Sequence, residues 1–218
     1  MGGQYLFYFL SMHYLSQDLW FPNVDQATDD GLLAIGGDLS VERLVLAYKM
    51  GIFPWFEEGN PILWWAPNPR FVLFPEKLNI SKSMRQVLRK THYKVTVNTA
   101  FKEVVVQCSK IKRKGQYGTW ITNGMIEAYQ KLHKLGYAKS VEVWREGCLV
   151  GGFYGVDLNN GVFCGESMFA KESNASKLGF ITFVKNSKYK LIDCQVYTSH
   201  LESLGAQEIP RKAFMRFL

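Results

Sequence analysis

Four cysteines among 218 residues, Cys108, Cys148, Cys164 and Cys194, lie far apart and form no Cys-x-x-Cys pair. A disulfide scaffold needs denser, paired cysteines, so none is expected, and the home is expected to be a reducing cytoplasm. His13, His92, His133 and His200 also lack metal-ligand spacing, and no metal is expected. Membrane-length apolar runs are missing. The opening Tyr5-Leu6-Phe7-Tyr8-Phe9-Leu10 is too short to span a bilayer, and no basic residue precedes it. It reads as an N-terminal strand or docking segment. No Walker loop is present, and Gly151-Gly152-Phe153-Tyr154-Gly155 falls in a predicted strand, where it is a weak nucleotide signal. Neither a serine–histidine–acid nor a cysteine–histidine grouping supports covalent catalysis.

Acid is also in the minority. Lysine plus arginine number 26 against 19 aspartates and glutamates, a formal charge of +7, which favours a polyanionic partner: RNA, DNA or an anionic membrane. Hydrophobic residues make up 47%, enough for a soluble globular core, and aromatics reach 15%, enough for flat pockets or stacking surfaces.

Turns at Asp29-Asp30-Gly31 and Gly36-Gly37-Asp38 bracket a strand, Leu32 to Ile35. Ser40 caps a helix from Val41 to Met50, ended by Gly51. Phe53 to Phe56 and Pro61 to Pro67 then form a proline-framed aromatic stretch with Trp55, Trp64 and Trp65. A domain boundary is placed between Trp65 and Arg70, dividing the chain into 1–68 and 69–218. Ser81 caps a basic helix to Lys90, Tyr93 to Val97 is a strand, and Asn98 or Thr99 starts a helix to Lys110. Trp120-Ile121-Thr122 leads into a helix with Met125, Ile126, Tyr129, Leu132 and Leu135 on one face, closed by Gly136. Strands follow at 140–145, 148–156 and 162–169, the last two joined at Asn160-Gly161. A helix from Asn174 to Val184, a strand at 190–196, a short helix through Leu204 and a strand at Gln207 to Ile209 complete an α/β chain with a mixed sheet.

Three polar residues interrupt apolar strands. Glu166 lies in Phe163-Cys-Gly-Glu-Ser-Met-Phe169, where alternation puts it on one face with Cys164 and Met168. Asp193 and Gln195 stand two apart in Leu191-Ile-Asp-Cys-Gln-Val196 and share a face. A strand–helix–strand connection allows the two strands to lie parallel, so the three side chains either line one cleft or form a hydrogen-bonded core cluster. As a site, they suit attack by an amine on an activated carbonyl, with Gln195 orienting or donating, Asp193 fixing it and Glu166 facing a cation. Two basic stretches, Lys82, Arg85, Arg89 and Lys90 on a helix, and Lys110, Lys112, Arg113 and Lys114 beside Tyr117 and Trp120, are candidates for phosphate contact with stacking nearby.

The chain resembles the leucyl/phenylalanyl-tRNA–protein transferases. The resemblance rests on Gly31-Leu-Leu-Ala-Ile-Gly-Gly-Asp-Leu-Ser40, Gly51-Ile-Phe-Pro-Trp-Phe56, Pro61-Ile-Leu-Trp-Trp65, Gly118-Thr-Trp-Ile121 and Val141-Glu-Val-Trp144. It continues through the Glu166 and Asp193 blocks, Asn174-Ala-Ser-Lys177 and Ser203-Leu-Gly-Ala206, so it runs in order along nearly the whole chain. The departures are an extended aromatic N-terminus, a short C-terminus and a shortened tract before Leu191.

The resemblance implies a small N-terminal α/β domain on a GCN5-related acetyltransferase-like (GNAT-like) domain. It implies transfer of leucine or phenylalanine, with methionine a further substrate, from tRNA to proteins beginning with arginine or lysine, which then enter N-end rule degradation. It places Asp193 and Gln195 in catalysis and Glu166 near the acceptor. Trp55, Phe153, Phe163, Met168 and Ile192 fall at the aminoacyl pocket, and the tRNA is expected on Lys82, Arg85, Arg89, Lys90, Lys112 and Arg113. An aminoacyl ester is already activated, so no cofactor is expected; the protein is expected to be a monomer without membrane association. The rival readings are an acyl-CoA-dependent N-acyltransferase, which would need a glycine-rich pyrophosphate loop, and a non-catalytic RNA-binding module.

Overall fold

A computed structural model describes residues 12–89, 92–111 and 119–218. In chain order its strands and α-helices are β1 (His13–Leu15), β2 (Leu32–Gly36), α1 (Val41–Lys49), β3 (Phe53–Pro54), β4 (Leu63–Trp65), β5 (Arg70–Leu73), α2 (Lys82–Leu88), β6 (Tyr93–Val97), α3 (Phe101–Ser109) and α4 (Asn123–Lys134). There follow β7 (Ala138–Arg145), β8 (Cys148–Asp157), β9 (Val162–Ala170), α5 (Ala175–Asn186), β10 (Leu191–Gln195), α6 (Ser199–Glu202), β11 (Gln207–Ile209) and α7 (Arg211–Phe214). The expected segment at Tyr5 to Leu10 lies outside the described residues.

Two sheets form. A four-stranded sheet has the order β1-β2-β4-β3, and a seven-stranded mixed sheet has the order β11-β5-β10-β9-β8-β7-β6. Only β9 and β10 run parallel among the neighbours of the larger sheet, with Asp193 opposite Cys164, as their connection through α5 requires. The strand at Arg70 to Leu73, for which the sequence alone predicts no element beyond a domain boundary ending at Arg70, sits between β10 and β11 and pairs antiparallel with both. Four apolar or half-apolar residues, all buried, are what a strand inside a sheet needs.

The larger sheet buries two faces. On one, Phe153, Phe163, Val141 and Val143 meet Leu178, Ile181 and Phe183 of α5 and Met84 of α2. On the other, Cys164, Tyr154 and Phe169 join α1, α3 and α4 in one core with Trp64 and Phe53 of the smaller sheet. Gly151 sets the distance to α5: a Cβ there would stand 2.7 Å from the Ala175 Cβ. The glycine run of β8 therefore serves close packing.

Local signals hold at most helix starts. Ser40, Ser81 and Thr122 accept from Arg43, Met84 and Met125 backbone N–H groups, satisfying donors that a first turn leaves free. The start expected at Asn98 or Thr99 moves to Phe101. Asn98 takes a left-handed turn, and Glu142 from β7 accepts the Thr99 and Ala100 N–H groups in place of a local cap. Asn174 likewise stands left-handed before α5 and makes no side-chain cap. Leu135, expected on the buried face of α4, is 63% exposed because the helix ends one residue earlier and Gly136 turns the chain away.

Candidate active site

Beyond the Asp193–Cys164 pair, β9 and β10 part, and a cavity of about 590 Å³ opens where they do. Both strands are bulged there. In β9, Ser167 pairs with Tyr154 and Gly165 with Gly155, leaving Glu166 as the extra residue. The slip reverses side-chain alternation across the bulge: Phe163 and Met168 pack on one face, Cys164 and Phe169 on the other. Glu166 therefore does not share its face with Met168, contrary to the simple alternation. In β10, Asp193 pairs with Val72 and Gln195 with Phe71, so Cys194 is the extra residue and Gln195 adopts a left-handed φ of 64°.

Asp193 is fully buried, and so is its partner. Arg70 donates from Nε to Oδ1 at 2.8 Å and from a terminal nitrogen to Oδ2 at 2.6 Å, a bidentate pair. Rings of Phe53 and Phe214 lie 4.8 and 4.7 Å from the guanidinium carbon. Oδ1 also accepts the Gln195 backbone N–H at 2.9 Å, which holds that residue in its otherwise disfavoured conformation. Gln195 in turn donates from Nε2 to Glu166 Oε1 at 2.7 Å.

Glu166 Oε2 accepts from the Tyr129 hydroxyl at 3.0 Å, and the Tyr129 and Tyr48 hydroxyls hydrogen-bond to each other. Removal from water pushes the Glu166 carboxyl up to about 7; the tyrosines and Gln195 pull the other way, and Asp193 adds to the rise. A second buried carboxylate in the same sheet makes a useful contrast. Glu142 is sealed from solvent and accepts from Thr96, Thr99 and Ser140 hydroxyls as well as two backbone N–H groups. Glu142 is thus a saturated structural cap, whereas Glu166 keeps partial exposure on a cavity wall and makes no ion pair among the described residues.

Asp193, Gln195 and Glu166 come together on this cavity, and so do Trp55, Phe153, Met168 and Ile192. Phe163 does not line it: it stands behind Phe153, ring centroids 6.2 Å apart, and packs on Phe183. The three tryptophans of the first sheet region divide. Trp64 is buried and donates to Gly36 O, Trp55 is 38% exposed on the cavity rim, and Trp65 donates to Trp55 O. Trp120 and Phe180 complete the aromatic wall.

Lys82 and Arg85 on α2, and Arg89 at its C-terminal cap, are exposed and away from the cavity lining; α2 packs on α5, whose Ser176 and Phe180 reach that lining. Lys90, Lys112, Arg113, Lys114 and Tyr117 lie outside the described residues.

Sequence reasoning missed Arg70, Tyr48 and Tyr129 as site residues. Arg70 carried a weaker form of the Glu166 signal, a lone charge at the start of an apolar run rather than inside one, and Tyr129 placed a hydroxyl on an apolar helix face. Among the described residues no three histidine, cysteine, aspartate or glutamate side chains converge as metal ligands, and no helix is long and apolar enough to cross a membrane.

The arrangement defines a mixed α/β protein whose cleft combines an apolar, aromatic-walled chamber with an acid–amide cluster at the parting of two parallel strands. Family models described as "Leucyl/phenylalanyl-tRNA protein transferase" and its N-terminal domain match residues 72–218 and 37–68. A leucyl/phenylalanyl-tRNA–protein transferase of Flavobacterium johnsoniae is 64% identical over 210 residues, covering 95% of this chain and 99% of the relative. One from Flavobacterium psychrophilum is 60% identical with the same coverage. The chain belongs to the leucyl/phenylalanyl-tRNA–protein transferase family. Among solved structures, a GCN5-related N-acetyltransferase from Kribbella flavida overlaps distantly, with 9% identity and a TM-score of 0.36 over 74% of this chain and 58% of that one.

Proposed function

We propose that this protein transfers leucine or phenylalanine, and also methionine, from aminoacyl-tRNA to the α-amino group of proteins beginning with arginine or lysine, committing them to N-end rule degradation in the cytoplasm. The observation that carries this reading is the charge balance of the cleft. Asp193 is neutralised by Arg70, while Glu166, beside it, has no cationic partner among the described residues and faces the cavity. A carboxylate so placed favours a substrate that brings a cation with it.

The aminoacyl side chain fits the chamber formed by Phe153, Met168 and Ile192 with Trp55 at its rim. Trp120, on the same cavity, offers a stacking face to the terminal nucleotide of the tRNA. Lys82, Arg85 and Arg89 supply exposed positive charge for its backbone; Lys90, Lys112 and Arg113 are proposed to join them. In the transfer, the acceptor nitrogen bonds to the ester carbonyl carbon and the ribose oxygen leaves. The amine loses one proton and the ribose oxygen gains one.

With its Nε2 hydrogen donated to Glu166, Gln195 keeps its side-chain carbonyl oxygen as an acceptor for the attacking amine. Asp193 acts through Gln195 by holding its backbone, and Glu166 binds the cationic end of the acceptor. Residues 1–68 form the small domain and 69–218 the catalytic one, and the protein works as a monomer.

Incubation with leucyl-tRNA and a peptide beginning with arginine should yield, by mass spectrometry, a peptide heavier by one leucyl residue. A peptide beginning with glutamate should remain unmodified. Equal labelling of both peptides, or none, overturns the reading.

A further inference from the structure

Six residues from five elements form one polar chain through the apolar interior: Arg70, Asp193, Gln195, Glu166, Tyr129 and Tyr48. The transfer reading uses the middle three. Arg70 has an evident task as the counter-ion of Asp193. The two tyrosines have none, since phenylalanine would fill the same apolar volume without hydroxyls to satisfy.

Tyr48 on α1 and Tyr129 on α4 are both buried, and their hydroxyls meet 81 residues apart in the chain. One of the pair then donates to Glu166 Oε2, the oxygen that Gln195 leaves free. The carboxylate is thereby pinned at both oxygens, by a phenol from the core side and an amide from the cavity side. We propose that Tyr48 and Tyr129 are positioning residues for the acceptor: their paired hydroxyls hold Glu166 in place and favour its charged form, so that it captures a cationic N-terminus.

This rests on the transfer reading above. The electrostatic setting makes such help necessary. Facing Glu166 are Asp193 on β10, whose charge opposes its ionisation, Arg70 on β5, which favours it, Cys164 on the same strand, and Tyr154 on β8 beyond Tyr129. Burial works hardest against the charge, and the two phenols are the leading groups that work for it. Burial and the neighbouring Glu166 charge raise both phenols well above the ordinary tyrosine value, so they stay protonated as donors across the working pH range.

The test is Tyr129→Phe, with Tyr48→Phe as a milder second variant. At pH 7, Tyr129→Phe should raise the KM for the arginine peptide about tenfold, the scale of one hydrogen bond to a charged group. The KM for leucyl-tRNA should not change, and the acceptor defect should shrink by pH 8.5 as Glu166 ionises without help. Equal rises in both KM values, or a defect independent of pH, overturn the proposal.

A second measurement needs neither turnover nor substrate. In protein with 13C-carboxyl-labelled glutamate, the signal absent from Glu166→Gln should titrate near neutral pH in the wild type and higher in Tyr129→Phe. An unchanged midpoint overturns the positioning role. Failure of the wild type to transfer leucine, with the midpoint still displaced, overturns the transfer reading alone.

Discussion

Arg70 and Asp193, 123 residues apart, meet as a bidentate ion pair with both partners closed off from solvent. Each charge depends on the other. Breaking a buried pair from one side leaves an uncompensated ion, at a cost of about 3–5 kcal/mol, whereas replacing both is much milder. Alanine at position 193 therefore removes the fold's support along with the chemistry.

Asp193→Asn also leaves the Arg70 charge unneutralised, but it keeps the shape and an acceptor for the Gln195 N–H. Its kinetics are therefore read on the folded fraction, measured alongside by urea unfolding. The variant should lower turnover severely while leaving leucyl-tRNA affinity within about twofold, since the phosphate contacts proposed for the tRNA involve Lys82, Arg85 and Arg89 rather than Asp193. Steady-state kinetics alongside equilibrium tRNA binding will separate the two. Matching losses in both would remove Asp193 from the chemistry.

Glu166 links stability to pH in the opposite sense to most carboxylates. In the unfolded chain it loses its proton near 4.5, but in the folded protein only near 7. Between those values the native state holds more protons, so its stability falls as pH rises through this window, by roughly 3 kcal/mol from this group. Glu166→Gln has no such proton to hold. Its stability relative to wild type should climb from pH 4.5 to 7 and level off above, as urea unfolding at pH 5 and pH 8 will show. A difference that does not vary with pH contradicts the assignment.

Phe153 is buried and forms part of the cavity wall, in edge contact with Phe163 and Phe183. Phe153→Ala should destabilise the protein by about 3–5 kcal/mol and enlarge the chamber. Where the variant remains folded, transfer should shift from leucine towards phenylalanine in a competition assay with both charged tRNAs. An unaltered ratio would place the aminoacyl side chain elsewhere.

Neutralising the exposed face of α2, as Lys82→Gln, Arg85→Gln and Arg89→Gln together, should weaken tRNA binding through lost phosphate contacts. The slope of log affinity against log salt should become shallower by about 0.9 for each contact removed, and turnover at saturating tRNA should persist. A salt dependence identical to wild type would move the tRNA off this helix.

Sequence alone determined what depends on neighbours within a few residues. Ser40 and Ser81 cap their helices, the strand at Tyr93 to Val97 and the short one at Gln207 to Ile209 stand where their residues predict, and the strand–α5–strand connection makes β9 and β10 parallel. It also marked Glu166, Asp193 and Gln195, because a polar side chain in an apolar strand is anomalous wherever that strand packs. Only the tertiary structure decided what each of them meets.

In the sequence Arg70 only marks the end of a domain boundary, yet it is the buried partner of Asp193, and the Tyr48 hydroxyl meets Tyr129 only because α1 packs where it does. No local spacing encodes a meeting across 123 or 81 residues. The two bulges are of the same kind. Strict alternation assigns Glu166 to the face of Met168, but register is set by the partner strand, and one unpaired residue moves every side chain beyond it to the other face. The sequence thus contained the unusual groups, and the folded register turned them towards one cavity.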